Sequence, residues 1–347
     1  MTEQETYMTR CLQLAKNGLG LVYPNPMVGC VIVHNGLVIG EGWHQKAGSP
    51  HAEVNAIHSV RDKQLLPDSV LYVNLEPCSH HGRTPPCSDL ILEHRIRKVV
   101  IGSADSNELV GGKGIERLRK NGVEVTVSVL EDQCRDLNKR FYTYHEQKRP
   151  YVILKWAQST DGFIFPDGEE AERGRPYWIT NAYSRQRVHQ WRAEEASILV
   201  GKQTVIQDDP ELTVRDFAGN EIVRIAIVPD LDIPRDARLL DKSAPTIIFN
   251  GLSDTDMGSL QYVKIDFDKD VVSQILNYLY LKEIQSLIVE GGARTLEKFI
   301  ENGLWDEARV FNGTIDFHKG LRAPELKGKL TGVVHIKEDV LRIYNKV

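Results

Sequence analysis

The chain has 347 residues and a formal net charge of -5, with basic residues scattered along it, which excludes the electrostatic footprint of a nucleic-acid binder. No apolar run approaches the length needed to span a bilayer. The length is too great for one ordinary small domain and suits two, each able to bury its own core.

The start, Met-Thr-Glu-Gln-Glu, is acidic and polar and gives no expectation of an export signal. Met8, Cys11, Leu12 and Ala15 have helical spacing, so a helix is predicted from Tyr7 to Gly18, with Gly18 as its C-cap and Cys11 in the core. Asn25 stands between two prolines in a loop. Val28 to Val33 and Leu37 to Gly42 are apolar runs around His34-Asn35-Gly36, and Asn-Gly is a strong hairpin signal. His44 follows in Gly-Glu-Gly-Trp-His.

Ser49-Pro50 reads as an N-cap followed by proline at the first helical position, which puts His51 and Glu53 in an exposed first turn. A strand from Val70 to Leu75 delivers Pro77-Cys78, and Thr84-Pro85-Pro86-Cys87 repeats the helix-start device, the second helix running on through Leu90 to His94. One imidazole, His51, and two thiols, Cys78 and Cys87, supply three ligands for zinc and leave a position for water, as in catalytic rather than closed structural sites. Glu53 is then the proton carrier. The chemistry is hydrolytic deamination, in which water attacks an amidine-like ring carbon and ammonia leaves. The competing readings are a structural zinc site or a surface cysteine pair. Such sites usually bring a fourth Cys or His and need no glutamate two residues after a ligand.

Lys98 to Ser103 is another short strand, followed by Gly-Gly-Lys-Gly (111–114), a helix from Ile115 to Lys120 that stops at Asn121-Gly122, and a strand from Val123 to Leu130. Together these elements predict a mixed sheet between helices. Cys134 to Gln147 reads as one polar helix. The five cysteines are odd in number and irregularly spaced, so they form no disulfide framework and fit a reducing, cytoplasmic setting. Pro150 disfavours helix at Arg149 and places a domain boundary near residues 146–150.

Strands and helices then alternate: strand Tyr151 to Lys155, helix Ser184 to Ala193, strands Ser197 to Gly201, Ile222 to Val228 and Pro245 to Phe249, helix Val271 to Leu281, strand Ser286 to Glu290, helix Thr295 to Asn302. This is an α/β pattern with a largely parallel sheet. Between the last strand and helix, Gly291-Gly292 lets backbone amides approach a phosphate, although the Gly-x-Gly-x-x-Gly fingerprint is absent.

The run Pro-Cys-Ser-His-His-Gly-Arg-Thr-Pro-Pro-Cys (77–87) separates its thiols by eight residues where the general zinc-deaminase signature has two. With Pro-Asn-Pro-Met-Val-Gly-Cys-Val-Ile-Val (24–33) upstream, it resembles the bifunctional deaminase/reductase family of riboflavin biosynthesis. Leu-Lys-Trp-Ala-Gln-Ser-Thr-Asp-Gly (154–162), Trp-Ile-Thr (178–180), Thr204 and the stretch from Asp208 to Arg215 match, in order, motifs of that family's reductase half.

The resemblance implies an α/β fold class with two parts: a cytidine-deaminase-like three-layer domain over residues 1–147 and a dihydrofolate-reductase-like domain over residues 148–347. It implies Zn2+ and NADPH as cofactors and a small pyrimidine ribosyl phosphate as substrate, first deaminated and then reduced from ribosyl to ribityl. A homo-oligomer, dimer or tetramer, is expected. Asn25, His44 and Arg83 would meet substrate in the first half. In the second, Ala157, Trp178, Thr204, Asp208, Gly292, Ala293, Arg294, Thr295, Leu296, Glu297 and Lys298 would meet NADPH. Arg192, Leu212, Arg215 and Glu290 would meet substrate, the arginines suiting its phosphate. Lys155 stands as proton donor or substrate contact.

Pro176 and Pro229 stand where the family often has serine, and 311–324 replaces its Pro-x-Leu-Leu-Gly stretch. Proline supplies neither the amide nor the hydroxyl donor. The alternative to this reading is a zinc deaminase of another nucleotide or of a nucleic-acid base, with a non-catalytic nucleotide-binding second domain.

Overall fold

A computed structural model of the protein describes residues 1–79, 85–106, 111–167 and 177–347, which divide into two units, Met1–Lys148 and Arg149–Val347. In the first, Thr2 and Glu5 form a reciprocal capping box, which starts α1 (Glu3–Ala15) earlier than its apolar spacing alone predicts. Strands β1 (Gly29–His34) and β2 (Leu37–Trp43) form the expected hairpin. Its turn places Asn35 at φ 49 and Gly36 at φ 75, the left-handed pair that a tight two-residue turn requires.

Next come α2 (Ala52–Ser59), β3 (Val70–Leu75), α3 (Cys87–Glu93), β4 (Lys98–Ser103), α4 (Lys113–Lys120), β5 (Glu124–Thr126), α5 (Glu131–Leu137) and α6 (Lys139–Gln147). The sheet order is β2-β1-β3-β4-β5, with β3, β4 and β5 parallel and β1 antiparallel to both its neighbours. Alternation along the strands sends Ile32, Leu71, Val73, Val99 and Ile101 toward α2, α3 and α4, while Val31, Val33, Tyr72 and Val100 pack with Met8, Cys11, Leu12 and Cys134 on the other face. Three layers result. Gly42 lets α2 lie directly against β2, because a methyl there would sit 2.4 Å from the Ala56 nitrogen and 2.7 Å from the Ala52 oxygen.

Two more elements of this unit depart from expectation. The strand predicted from Val123 to Leu130 shortens to β5, because Ser128 and Leu130 take φ values of 65° and 55°, outside any extended conformation. The helix predicted from Cys134 to Gln147 starts earlier and breaks at Asn138. There the side chain turns away to bind the Met27 backbone, accepting from its nitrogen at 2.8 Å and donating to its oxygen at 2.9 Å.

The second unit contains β6 (Tyr151–Gln158), β7 (Phe163–Pro166), α7 (Ala182–Glu194), β8 (Ser197–Gly201), α8 (Lys202–Asp208), β9 (Val223–Ile227), β10 (Thr246–Asn250), β11 (Thr255–Asp256), β12 (Leu260–Lys264), α9 (Val271–Leu281), β13 (Ser286–Gly291) and α10 (Ala293–Glu301). Strands β14 (Glu307–Asn312), β15 (Gly320–Arg322), β16 (Lys329–Ile336) and β17 (Asp339–Asn345) complete it. Among the described residues the main sheet runs β11-β12-β10-β9-β8-β13-β6-β14-β17-β16. It is parallel from β12 to β14, as expected, and antiparallel at both ends. One face packs under α9 and α10 through Ile275, Leu279, Leu296 and Phe299, the other under α7 and α8 through Val188, Trp191 and Val205. The divergent stretch 311–324 supplies the end of β14 and β15, which pairs with β7.

Candidate active sites

The first site is built where β3 ends and two helices begin. His51 is itself the N-cap of α2, at φ -69 and ψ 163, while Ser49 closes a turn on Lys46; the cap predicted at Ser49 is therefore displaced by two residues. The imidazole caps no backbone amide and turns instead toward the thiols, its Nδ1 lying 3.3 Å from Cys87 Sγ and 3.6 Å from Cys78 Sγ. Cys87 opens α3 as expected, and its amide donates to Cys78 Sγ at 3.3 Å. Glu53 lies in the first turn of α2, which is buried rather than exposed: its residue is 3% accessible.

These three donors suit zinc. Their ligand atoms all lie within 4.8 Å of one another, and zinc bonds of usual length at a tetrahedral angle put nitrogen and sulfur about 3.5 Å apart. Burial, reinforced by the Cys78 charge, pushes the Glu53 carboxyl up to about 7, where it can both take and give a proton near neutrality. Hydrogen bonding from Cys87 and then His51 pulls the Cys78 thiol toward thiolate, the form that binds metal.

Asn25 and His44 meet beside this cluster. Asn25 Nδ2 is 3.0 Å from His44 Nε2, His44 Nδ1 is 3.2 Å from the Pro50 oxygen, and the His44 ring stands 5.6 Å from that of His51. The Pro50 carbonyl can only accept, which assigns the proton to Nδ1 and leaves Nε2 to accept from Asn25. Burial lowers the His44 pKa and keeps this neutral form. Arg83 lies outside the described residues.

The second site is a cavity of about 470 Å³ in the Arg149–Val347 unit, lined among others by Lys155, Ala157, Trp178, Arg192, Thr204 and Asp208. Leu212, Arg215 and Glu290 line it too, so elements far apart in sequence converge here. Arg192 Nη2 donates to Glu290 Oε2 at 3.0 Å, and Lys155 Nζ lies 3.8 Å from Glu290 Oε1. Burial pushes the Glu290 carboxyl up, but Arg192 and Lys155 more than offset this and hold it below the usual range. For Lys155 burial wins over Glu290 and lowers its pKa. Asp208 is pushed up to about 6 by burial. Glu290 Oε1 and Arg192 Nε are buried with no hydrogen-bond partner among the described residues, as groups awaiting a ligand would be.

Gly292 is the N-cap of α10, and the Gly291–Gly292 peptide is cis. A methyl at Gly291 would meet nothing within 4 Å, and one at Gly292 only Thr204 Oγ1 at 3.6 Å, so backbone here is open to a phosphate. Ala293, Arg294, Thr295, Leu296, Glu297 and Lys298 form the first turns of this helix. Leu296 is buried in the core while Arg294, Glu297 and Lys298 are exposed. Leu212 also points into the core, at φ 56.

Other residues of the cavity wall carry no sequence signal of their own. His189 lies one helical turn before Arg192 and accepts from the Arg215 amide at 3.3 Å. Arg185 stacks over Trp178, 4.4 Å from its ring centre.

The chain matches known proteins along most of its length. The model of the cytidine and deoxycytidylate deaminase zinc-binding region matches residues 1–103, and that of the RibD C-terminal domain matches residues 150–315. The riboflavin biosynthesis protein RibD of Aquifex aeolicus is 42% identical over 328 residues, covering 93% of this chain and 90% of that protein. Its counterpart in Actinobacillus pleuropneumoniae is 41% identical over 316 residues, covering 88% and 82%. The crystal structure of a diaminohydroxyphosphoribosylaminopyrimidine deaminase/5-amino-6-(5-phosphoribosylamino)uracil reductase from Thermotoga maritima superposes with a TM-score of 0.89 at 37% identity, covering 99% of each chain. With a cytidine-deaminase-like unit followed by a reductase unit, the chain belongs to the RibD family of bifunctional riboflavin biosynthesis enzymes.

Proposed function

We propose that residues 1–147 form the zinc-dependent deaminase domain of this bifunctional enzyme and residues 148–347 its NADPH-dependent reductase domain. The first hydrolyses 2,5-diamino-6-(5-phosphoribosylamino)pyrimidin-4(3H)-one to release ammonia, and the second reduces the ribosyl side chain to ribityl. The observation that carries this reading is the His51, Cys78 and Cys87 donor set beside the buried carboxyl of Glu53.

His51, Cys78 and Cys87 hold the metal. When bound, zinc supplies the Lewis acidity that makes a water nucleophilic near neutral pH. Glu53 takes the water's proton and passes it to the departing nitrogen, a task suited to a carboxyl raised to about 7. Asn25 and His44 orient the pyrimidine, and Arg83 meets the phosphate.

In the second domain NADPH, when bound, supplies the hydride. Gly292 through Lys298 carry the α10 N-terminus for its phosphates, Gly292 lying beside Thr204, which with Ala157, Trp178 and Asp208 lines the cavity, although 292–298 themselves do not. Arg192, Leu212, Arg215 and Glu290 hold the substrate, and Lys155 donates a proton or contacts the sugar. Pro229 follows β9, where its ring supplies no hydroxyl, so a contact made through serine there is not available to this chain, and Pro176 lies outside the described residues.

The setting we propose is the cytoplasm, where all five thiols stay reduced, as the free cysteines suggest. No helix among the described residues is long and apolar enough to cross a membrane. We further propose a homo-oligomer, dimer or tetramer: β16 is an edge strand on which Leu330, Val333 and Val334 are 41% to 49% exposed. Light scattering reads the assembly. The catalytic reading is tested by following ammonia release and NADPH oxidation together on the pyrimidine substrate: both signals are expected, and ammonia without NADPH oxidation would restrict the assignment to the first domain.

A further inference from the structure

We propose that Glu76 is a positioning residue of the zinc centre, a buried carboxylate that clamps the chain leaving β3 onto the start of α4 and thereby fixes the backbone that presents Cys78. Glu76 precedes Cys78 by two residues and is 4% exposed. Its Oε1 accepts from the amides of Gly114 at 2.8 Å and Ile115 at 3.1 Å, and its Oε2 from those of Gly112 at 2.9 Å and Asp105 at 3.2 Å. An ionised carboxylate offers only acceptor sites, about four of them, and here all are engaged by backbone. Gly114 and Ile115 lie in the first turn of α4, where amides have no partner within the helix and the helix dipole favours negative charge.

The opposing segment is built for close approach. Gly112 takes φ 78, and a methyl on Gly114 would sit 2.0 Å from the Pro77 carbonyl oxygen. These contacts give the Gly-Gly-Lys-Gly run a physical reason that neither catalytic step supplies. From the other side Cys78 is held by α3, through Ser88 N to its oxygen at 3.1 Å and Cys87 N to its sulfur at 3.3 Å. The thiol therefore stands between two clamps. The Glu76 amide still donates to the Ser103 oxygen at 3.0 Å, a backbone bond that needs no carboxylate, so loss of the side chain's clamp leaves the β3–β4 pairing intact.

The inference rests on the zinc ligand set proposed above, and the experiment separates the two. Full-length protein is loaded with cobalt(II) in place of zinc, so that the visible absorption of the metal reports its ligand geometry. In Glu76→Gln an NH2 group faces amide donors. That variant is expected to shift or weaken the cobalt absorption and to release metal to a chelator at least about tenfold faster. Glu76→Asp, which keeps the charge, recovers part of both. A cobalt spectrum and release rate within twofold of the parent overturn the role of Glu76, whatever happens to the melting temperature. A parent protein that takes up no cobalt overturns the ligand assignment instead. Should Glu76→Gln fail to fold, Gly114→Ala keeps the carboxylate but displaces Pro77; an altered cobalt spectrum there supports the clamp, and an unchanged one overturns it.

Discussion

Arg192 and Glu290 meet at 3.0 Å with each side chain only a tenth exposed, joining α7 to the end of β13 across the wall of the second cavity. Removing one partner of such a buried pair leaves the other charge uncompensated. Glu290→Gln should therefore lower the stability of the second unit by about 3 kcal/mol in urea titrations. It should also cut kcat/KM for the sugar substrate at least about tenfold, while NADPH affinity stays near that of the parent. Lost NADPH affinity would move Glu290 to the cofactor side.

Zinc content and rate should separate within the first site. His51→Ala, Cys78→Ser and Cys87→Ser each remove one of the three proposed ligands and should lose bound zinc together with deamination. Glu53→Gln should keep the zinc and lose roughly a hundredfold or more in rate, since an amide cannot carry the proton. Stoichiometric zinc in Cys87→Ser, by elemental analysis, would refute the ligand set.

A fragment ending at Gln147 should fold alone, bind zinc and release ammonia without NADPH. It keeps β1 to β5, the helices on both faces and the whole donor set, and it ends at the close of α6. A soluble, zinc-loaded but inactive fragment would count against the independence of the two domains.

Gly292→Val tests the phosphate approach. A first side-chain carbon there meets Thr204 Oγ1 at an ordinary 3.6 Å, so the protein leaves room at that position for a Cβ, and circular dichroism confirms that the variant is folded before it is titrated. NADPH affinity, read by fluorescence titration, should fall at least about tenfold with deamination unchanged. Unchanged affinity would remove the α10 start from the cofactor site.

Asp208 gives the second unit a pH dependence. Its carboxyl is raised by burial to about 6, so the folded state binds the proton more tightly than the unfolded chain does. The resulting stabilisation is full below the unfolded value near 3.8 and is lost as pH rises through 6. Asp208→Asn should match the parent at pH 4 and exceed it at pH 7.5 by roughly 2 kcal/mol, read as the melting of the second unit. Equal stability at pH 7.5 would mean that the charge is accommodated in some other way.

Local chemistry made the first unit legible. The Asn35-Gly36 turn, the strand from Val70 to Leu75 and the helix opening at Cys87 all follow from neighbouring residues. So does the closeness of His51 to the two thiols, because a metal ligand set is written in residue types. The break at Asn138 was not legible, since its cause is Met27, more than a hundred residues away. For the same reason nothing local singles out Glu76: its four donors arrive from another strand end and another helix. In the second unit Asn312-Gly313 marks only the end of β14, and β14 becomes a strand by pairing with β6 and β17, which lie far from it in sequence or follow a long connection. His189 could be connected to the cavity only once α7 showed it beside Arg215.

The contact of Gly42 with α2 is backbone against backbone, at Ala52 and Ala56, and so has almost no compliance. Rotamers cannot absorb a change there, as they would between two leucines. A single methyl on a strand that holds none of the proposed ligands would be transmitted along a stiff helix to His51 and Glu53 together, moving ligand and acid as one body. Substitutions in the hairpin should thus be heard at the metal without touching it, and the small residues of Gly-Glu-Gly serve as a mechanical reference for the site.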